Sequence, residues 1–275
     1  AYERQEDAVR FQERAHQLRE RIEEHCWDGG WYLRAFYDDG TPLGSQHNQE
    51  CRIDAYTTLF RSISGVAPRS RASCAMDAVM EHLLDREHGL LKLFTPAFDH
   101  GDKQAGYIRG YLPGVRENGG QYTHAAMWVC LGMIAQGDGA GVQRLLSMLN
   151  PIERSKTPER AKVYKGEPYA VAADVYTLRG QEGRAGWTWY TGAASWMLQS
   201  IYAMLGLEKR GNQLHIKSCL PPDWTGYTVS YKFGSARYEL EITCGGSGDA
   251  WPEPIELIDD GEVHRVQLRV PRGGV

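Results

Sequence analysis

Residues 114–134 read GVRENGGQYTHAAMWVCLGMI, and they contain the most informative structural pattern in the chain. A polar segment with two adjacent glycines leads directly into a run in which almost every residue is apolar. A helix that is apolar on nearly all faces has to be buried all round. The sequence therefore predicts an inner helix over residues 125–134 that begins at a polar loop.

The same pattern occurs a second time further along the chain. Residues 186–192 read GWTWYTG and lead into an apolar stretch over residues 193–205. This predicts a second inner helix that also begins at a glycine-bearing polar loop. If the two helices begin at the same end of the fold, their loops converge on one point.

Other segments have the pattern of outer helices. Residues 3–25 are mostly charged, with a stripe of apolar residues at helical spacing, which is typical of an amphipathic helix with one buried face. The stripe consists of Phe11, Ala15, Leu18 and Ile22. Helical patterns also cover residues 50–64 and 69–85, and residues 27–45 have the alternation and turn residues of a hairpin. Inner and outer helices together predict concentric helical layers.

After Leu207 the pattern changes to short β-type runs separated by Gly, Pro and Asp. The runs are residues 213–217, 227–233, 236–243, 255–258 and 263–270. We predict a mainly α fold, with a helical unit over residues 1–208 and a small all-β, sandwich-like module over residues 209–275.

The composition excludes several classes of protein. With 275 residues, 42% hydrophobic, 24% charged and a net charge of −4, the chain is a globular protein and not a disordered one. A membrane contact by this segment is not expected, because no apolar run approaches the ~20 residues of a bilayer span. A nucleic-acid partner is not expected either, because no Lys/Arg cluster is present. The six cysteines form no C-x-x-C pair, which argues against a metal site and for a reducing compartment.

Polar residues collect where the first inner helix begins. Arg116, Glu117, Asn118, Gln121 and His124 precede or open it. Free backbone N–H groups and the helix dipole favour an anion at such a position. The alternative is a capped helix whose loop residues are solvated or paired with one another. The spacing alone leaves both interpretations open.

The loop before the second inner helix has two interpretations as well. Thr191 is placed either to cap the helix or, with the following amides, to bind an oxyanion. Trp187, Trp189 and Tyr190 are suited to wall a sugar site or to fill a core.

Between the two loops, residues 164–169 read YKGEPY, with Asp174 close behind. Glu167 either binds sugar hydroxyls or caps a turn. Arg52 and Asp54 are two residues apart in a predicted helix, so they point to different faces. We interpret Arg52 and Asp54 as structural.

Three segments, residues 114–124, 164–174 and 186–196, resemble the signature segments of the inverting β-glucoside phosphorylases of glycoside hydrolase family 94. Within that family the chain is most similar to the C-terminal module of cyclic β-1,2-glucan synthases. Shorter motifs carry this part of the resemblance: WDG at 27–29, CRID at 51–54 and NPI at 150–152.

The resemblance implies an (α/α)6 barrel in which inorganic phosphate, as co-substrate, attacks the anomeric carbon of a β-glucoside without a metal or organic cofactor. His124, Thr191 and Gly192 match the family's phosphate-binding positions. Arg116 and Glu117 match positions beside the acceptor sugar. The full set of expected substrate-binding residues is Arg116, Glu117, Gln121, Glu167, Trp187 and Trp189.

The chain departs from the family at the general acid, which is an Asp within a Gly-Asp-Trp-Asn-Asp segment. No such segment occurs in these 275 residues, and the Asp223-Trp224 pair lies in the β module. We therefore expect no catalytic residue in this chain. The acid is expected upstream, in a longer parent of which this chain is an inactive C-terminal fragment. The resemblance also implies a cytoplasmic location, as part of an inner-membrane glucan synthase, and the exposed inner helices of a fragment favour pairing with another copy.

Two other functions fit the same residues. The missing acid and the aromatic residues are compatible with a non-catalytic glucan-binding or chain-length-control module of a cyclic glucan synthase. A hydrolase with Glu117 as its acid is the third hypothesis. The three differ in their products, since only the phosphorylase releases glucose 1-phosphate.

Overall fold

The computed structural model describes residues 4–56, 64–189, 191–246 and 250–272 of the chain. Its helices are α1 (Gln5–His25), α2 (Arg69–His82), α3 (Thr123–Gln136), α4 (Gly139–Leu149), α5 (Pro151–Arg154), α6 (Pro158–Tyr164) and α7 (Thr191–Leu205). A 3-10 helix spans Gly106–Gly110. Within the described ranges, no helix combines the length and the apolarity that crossing a bilayer requires. The predicted inner helices correspond to α3 and α7.

Short strands pair between these helices. The antiparallel pairs are β1 (Ala35–Phe36) with β2 (Pro42–Leu43), β3 (Ile53–Asp54) with β6 (Phe94–Thr95), β4 (Leu84–Asp85) with β5 (Leu90–Leu91), and β7 (Gln121–Tyr122) with β8 (Asp174–Val175). The first pair confirms the predicted hairpin. The β7–β8 pair joins the start of α3 to the segment that precedes α7.

The C-terminal part forms two three-stranded sheets. One contains β9 (Leu207–Arg210), β10 (Gln213–Ile216) and β13 (Ile255–Glu256), and the other contains β11 (Gly226–Phe233), β12 (Ala236–Cys244) and β14 (Val263–Val270). Along β12, buried residues such as Tyr238 and Leu240 alternate with exposed ones, as expected of a sheet with one face on a core. The predicted β runs are confirmed.

The core of the helical part is built around α3. Most of this helix is buried, and it packs against α4 and α7. It ends at Gly137, which has a left-handed backbone with φ of +78° and donates its N–H to the carbonyls of Met133 and Ile134. The chain is thus a mixture of helix and sheet. The (α/α)6 barrel and the division at residue 208 stay predictions.

The outer helix α1 and the inner helix α7 both have exposed apolar side chains. The predicted stripe of α1 is not covered, since the side chain of Phe11 is 65% exposed and that of Leu18 is 50% exposed. Residues of α7 are exposed too, with Leu198 at 50% and Tyr202 at 45%, so α7 is not buried on all faces, and this exposure of an inner helix is what we expected for this chain alone. Both helices present apolar faces that no described residue covers.

The segment around Asp54 also differs from expectation. A helix was predicted over residues 50–64. Residues 55–56 are helical, and residues 57–63 lie outside the described residues, but Ile53 and Asp54 form β3. The reason is a buried ion pair between Asp54 and Arg34, a residue of the hairpin arm. Arg52 donates from Nε to the carbonyl of Asn48 at 2.9 Å, which gives this side chain a structural partner as well.

Candidate active site

The loop before α3 is held in shape from within. Asn118 is fully buried, and its Oδ1 accepts the N–H of Phe98 at 2.8 Å. Its Nδ2 donates to the carbonyls of Phe98 and Tyr111, both at 2.8 Å. Gly120 lies so close to the loop backbone that a Cβ there would be 2.7 Å from the carbonyl oxygen of Arg116. Asn118 therefore shapes the loop.

Gln121 has a similar anchoring contact. Its side chain is 1% exposed, and its Oε1 accepts the N–H of Leu91 at 3.0 Å. The next residue but one, Thr123, donates its N–H to the carbonyl of Ala173 at 2.8 Å. The Oε1 of Gln121 thus already accepts one hydrogen bond from the backbone, and the expected substrate-binding role of Gln121 stays a prediction.

Asp174 in β8 joins the two polar loops. Its Oδ2 accepts the N–H of Arg116 at 3.2 Å, and its Oδ1 accepts the N–H of Trp187 at 3.0 Å. Burial raises the pKa of Asp174, and these two N–H groups and the charge of Arg116 oppose that rise. The loops around Arg116 and Trp187, which are 71 positions apart in sequence, thus meet at one carboxylate.

Arg116 and Glu117 lie side by side at this junction. Nε of Arg116 is 3.7 Å from Oε2 of Glu117, and its guanidinium lies 5.5 Å from the ring centroid of Tyr111. Burial lowers the pKa of Arg116, but the charges of Asp174 and Glu117 outweigh it, so the net shift is upward. Arg116 is therefore a fixed cation beside a carboxylate.

His124 lies in an aromatic cluster at the beginning of α3. Its ring stacks on Trp196 with centroids 5.3 Å apart and an interplanar angle of 17°. Tyr56 and Trp128 contact it edge to face, at 5.6 Å and 5.3 Å. Burial lowers the pKa of His124, so its imidazole is neutral at pH 7.

The helices α3 and α7 run parallel to one another. His124 of α3 contacts Trp196 of α7, and one turn further along both helices Ser200 Oγ donates to the carbonyl of Met127 at 3.3 Å. Because both contacts advance in the same direction, the N-termini of the two helices lie at the same end. This is the convergence that the sequence pattern suggested.

The residues at the start of α7 are only partly described. Tyr190 and the side chain of Thr191 lie outside the described residues, so the expected role of Thr191 stays a prediction. Gly192 lies in the first turn of α7 and is partly exposed. Its backbone N–H is one of the first four of the helix, which have no acceptor within it.

The segment before α7 carries an exposed aromatic surface. The side chains of Trp187, Trp189 and Tyr169 are 57%, 69% and 77% exposed, and the rings of Tyr169 and Trp189 are 6.1 Å apart. The hydroxyl of Thr188 lowers the pKa of Glu167, with a smaller effect from Trp189. Flat apolar rings beside a carboxylate suit the faces and hydroxyls of a sugar.

Several buried polar atoms of this region have no hydrogen-bond partner among the described residues. They include Arg116 Nε, Glu117 Oε2, Thr123 Oγ1, His124 Nε2 and Glu167 Oε2. Buried polar atoms in folded proteins are nearly always paired. A polar ligand that brings both donors and acceptors would satisfy this set.

A cavity of about 630 Å³ lies elsewhere, next to α5 and α6. Its lining contains the basic residues Arg86, His88, Arg154 and Arg160 together with Glu87, Glu153 and Glu159. The guanidinium of Arg154 already donates to the carbonyls of Met148, His88 and Gly89. His88 is paired with Asp85 at 2.9 Å. Arg160 is paired as well, since its guanidinium donates to the carbonyl of Glu153 at 3.0 Å. Because Arg154, His88 and Arg160 have partners, we place the candidate site at the starts of α3 and α7.

Sequence reasoning missed two features of the site. It noted Asp174 only as a further loop carboxylate, although this residue connects the loops. It also did not place Tyr56, Trp128 and Trp196 around His124. The spacing of four residues between His124 and Trp128 was a usable signal, because such residues share a helix face.

Comparison with known proteins agrees with the resemblance. The family model described as the glycosyl hydrolase 94 superfamily, catalytic domain, matches residues 1–206. The cyclic beta-(1,2)-glucan synthase NdvB of Rhizobium meliloti (strain 1021) is 43% identical over 82% of this chain and 8% of its own length. The N,N'-diacetylchitobiose phosphorylase of Vibrio proteolyticus is 30% identical over 86% of this chain and 30% of its own length.

A solved sialidase structure has a similar fold, with a TM-score of 0.52 and 13% identity over 81% of this chain and 20% of that one. This is a likeness of fold alone. The chain spans less than a third of the length of each of these relatives. Since the family model covers about three quarters of the sequence, the chain belongs to the glycosyl hydrolase 94 superfamily.

Proposed function

We propose that this chain supplies the phosphate-binding and part of the sugar-binding half of an inverting glycoside phosphorylase site that acts on β-linked glucans. The observation that carries the proposal is the group of buried polar atoms near the starts of α3 and α7 that have no hydrogen-bond partner among the described residues. This group contains a cation and carboxylates as well as an imidazole, as a site for both a sugar and an anion requires.

Phosphate binds, in this proposal, between the N-termini of α3 and α7. His124 donates from its imidazole, while Thr191 and the N–H of Gly192 donate from the first turn of α7. Both helix dipoles point their positive ends at the anion because the helices are parallel. The aromatic cluster around His124 fixes the orientation of its ring.

The sugar lies toward the junction of the two loops. Arg116 and Glu117 bind hydroxyls on the acceptor side, and Glu167 accepts from further hydroxyls. Trp187 and Trp189 stack on sugar faces, which their exposure permits. Phosphate is the nucleophile in such an inverting displacement, so the protein has to supply one general acid and fixed donors. We assign no acid within this chain and no metal or organic cofactor to the reaction.

The wider setting is also part of the proposal. A β-1,2-glucan is the substrate class we favour, because the glucan synthase relative is 43% identical. We propose that the helical part belongs to an (α/α)6 barrel completed by a longer parent, and that the segment lies on the cytoplasmic side. The exposed faces of α1 and α7 are then covered by the rest of that barrel or, in this chain alone, by a second copy.

A second candidate is a glucan-binding or chain-length-control module without catalysis. The exposed rings of Tyr169, Trp187 and Trp189 favour it, since stacking surfaces alone are sufficient for binding. A binding module of this kind would not explain why the aromatic cluster orients His124 at the end of α3 where we propose that phosphate binds.

Product analysis separates these functions. The full-length protein that carries this chain should be incubated with β-1,2-glucan, with and without inorganic phosphate. We expect glucose 1-phosphate that appears only when phosphate is present. Reducing sugar released at equal rates with and without phosphate would show a hydrolase. No product at all, together with glucan binding, would show a binding module and contradict the proposal.

A further inference from the structure

Asp174 determines the backbone geometry at two positions of the sugar side. Its carboxylate is 1% exposed and accepts the N–H groups of Arg116 and Trp187. Its own carbonyl accepts the N–H of Gly186 at 2.9 Å. A Cβ at residue 186 would lie 2.4 Å from Oδ1 of Asp174, so the glycine allows the loop to approach the carboxylate this closely.

Asp174 accepts a hydrogen bond from the backbone of Arg116, which has an unfavourable conformation. Arg116 has a φ of +50°, a left-handed conformation that residues other than glycine, Asn and Asp seldom adopt. The Oδ2 of Asp174 accepts the N–H of this residue, and the neighbouring Tyr111 ring contacts its guanidinium. The direction of the Arg116 side chain therefore depends on Asp174.

The phosphate side is oriented by other groups. His124 takes its ring orientation from Trp128 on its own helix, from Trp196 on α7 and from Tyr56. All of these contacts are aromatic, and Asp174 makes its side-chain bonds to the two loops. A change at Asp174 should thus move the sugar side and leave the phosphate side in place.

We propose that Asp174 is a positioning residue that aligns Arg116 and Trp187 for the sugar and has no part in binding phosphate. This inference rests on the proposed function. An Asn at this position keeps the volume and one acceptor oxygen, but its NH2 group, which replaces the second oxygen, cannot accept a hydrogen bond. One of the two backbone N–H groups then loses its acceptor.

The test compares D174N with the unmodified chain by titrating sophorose, a β-1,2-linked disaccharide of glucose, and inorganic phosphate separately. We expect sophorose binding to weaken about tenfold, as for loss of one charge-assisted hydrogen bond. Phosphate binding should stay within about twofold of the unmodified chain. Amide hydrogen exchange at Arg116 and Trp187 should become faster, which reports the positioning directly.

The matched control is D138A. Asp138 caps α4 by accepting the N–H of Gly141 at 2.8 Å, at the opposite end of α3, so this change removes a carboxylate–amide bond far from the site. It should leave both affinities unchanged. Equal weakening of sophorose and phosphate in D174N, or unchanged exchange at Arg116 and Trp187, would overturn the inference alone. An unmodified chain that binds neither ligand would contradict the proposed function, and this inference with it.

Discussion

The variant H124A is expected to bind inorganic phosphate about thirtyfold more weakly than the unmodified chain. The imidazole lies at the start of α3, and its buried Nε2 has no hydrogen-bond partner in the part of the chain that the structure describes. Losing one charge-assisted contact costs ~2 kcal/mol, which corresponds to this factor. Isothermal titration at constant ionic strength measures it.

The matched control is H88A, at the cavity of about 630 Å³ next to α5 and α6. His88 is paired with Asp85 and lies close to Arg154 and Arg160, so it is the competing place for an anion. We expect H88A to bind phosphate as the unmodified chain does. The opposite result, in which H88A loses affinity and H124A keeps it, would place the anion in that cavity and contradict the assignment.

The proposed role of His124 also predicts how the affinity for an anion depends on pH. Burial lowers its pKa, so the free chain holds it neutral at pH 7, whereas a bound dianion favours the imidazolium and raises its pKa in the complex. Binding of the anion then takes up a proton, so the affinity for the anion should rise as the pH falls from 7 toward the pKa of His124 in the free chain. Sulfate is a suitable probe because it stays a dianion over this pH range. H124A should lack this dependence, and an equal dependence in both proteins would exclude His124 as its source.

The variant D54A is expected to lose about 3–5 kcal/mol of unfolding free energy, as breaking a buried ion pair does. The side chain of Asp54 is fully buried against Arg34, and its Oδ1 also accepts the N–H of Tyr56 at 2.8 Å. The change leaves the Arg34 guanidinium without its counter-charge. Urea unfolding followed by circular dichroism measures the loss.

The control for this prediction is D39A, which removes an ion pair with Lys103 at the surface. Exposed pairs contribute little because solvent screens them, so D39A should unfold close to the unmodified midpoint. A D54A midpoint equal to that of D39A would show that the Arg34–Asp54 pair does not stabilise the fold.

The sequence predicted the elements whose burial is set by their own pattern. The run from Ala125 to Ile134 is apolar on every face, so α3 could be placed inside without knowledge of its neighbours. The alternation along β12 likewise fixed which residues face the core. The prediction that residues 50–54 begin a helix was wrong, because the partner that holds Asp54 in a strand is Arg34, 20 positions away. A local helical pattern does not contain this partner.

The candidate site was predictable to a similar extent. Glycines and polar residues before an apolar run indicated the two loops, and the loops do meet. The roles of Asp174 and Asn118 were not predictable, because each depends on backbone groups that only the folded chain brings close. The exposure of an inner helix was expected for this chain alone, but which residues of α7 would be exposed was not, since a helix pattern shows which residues are apolar and not what covers them.

We infer that phosphate binds between the N-termini of α3 and α7. This binding site can be tested by titrating inorganic phosphate into the isotope-labelled chain and following the backbone amide resonances. We predict saturable shifts that are largest at His124 and Gly192 and are lost in H124A. Shifts centred on Arg86, His88 and Arg160, or no saturable shift at either place, would contradict the claim.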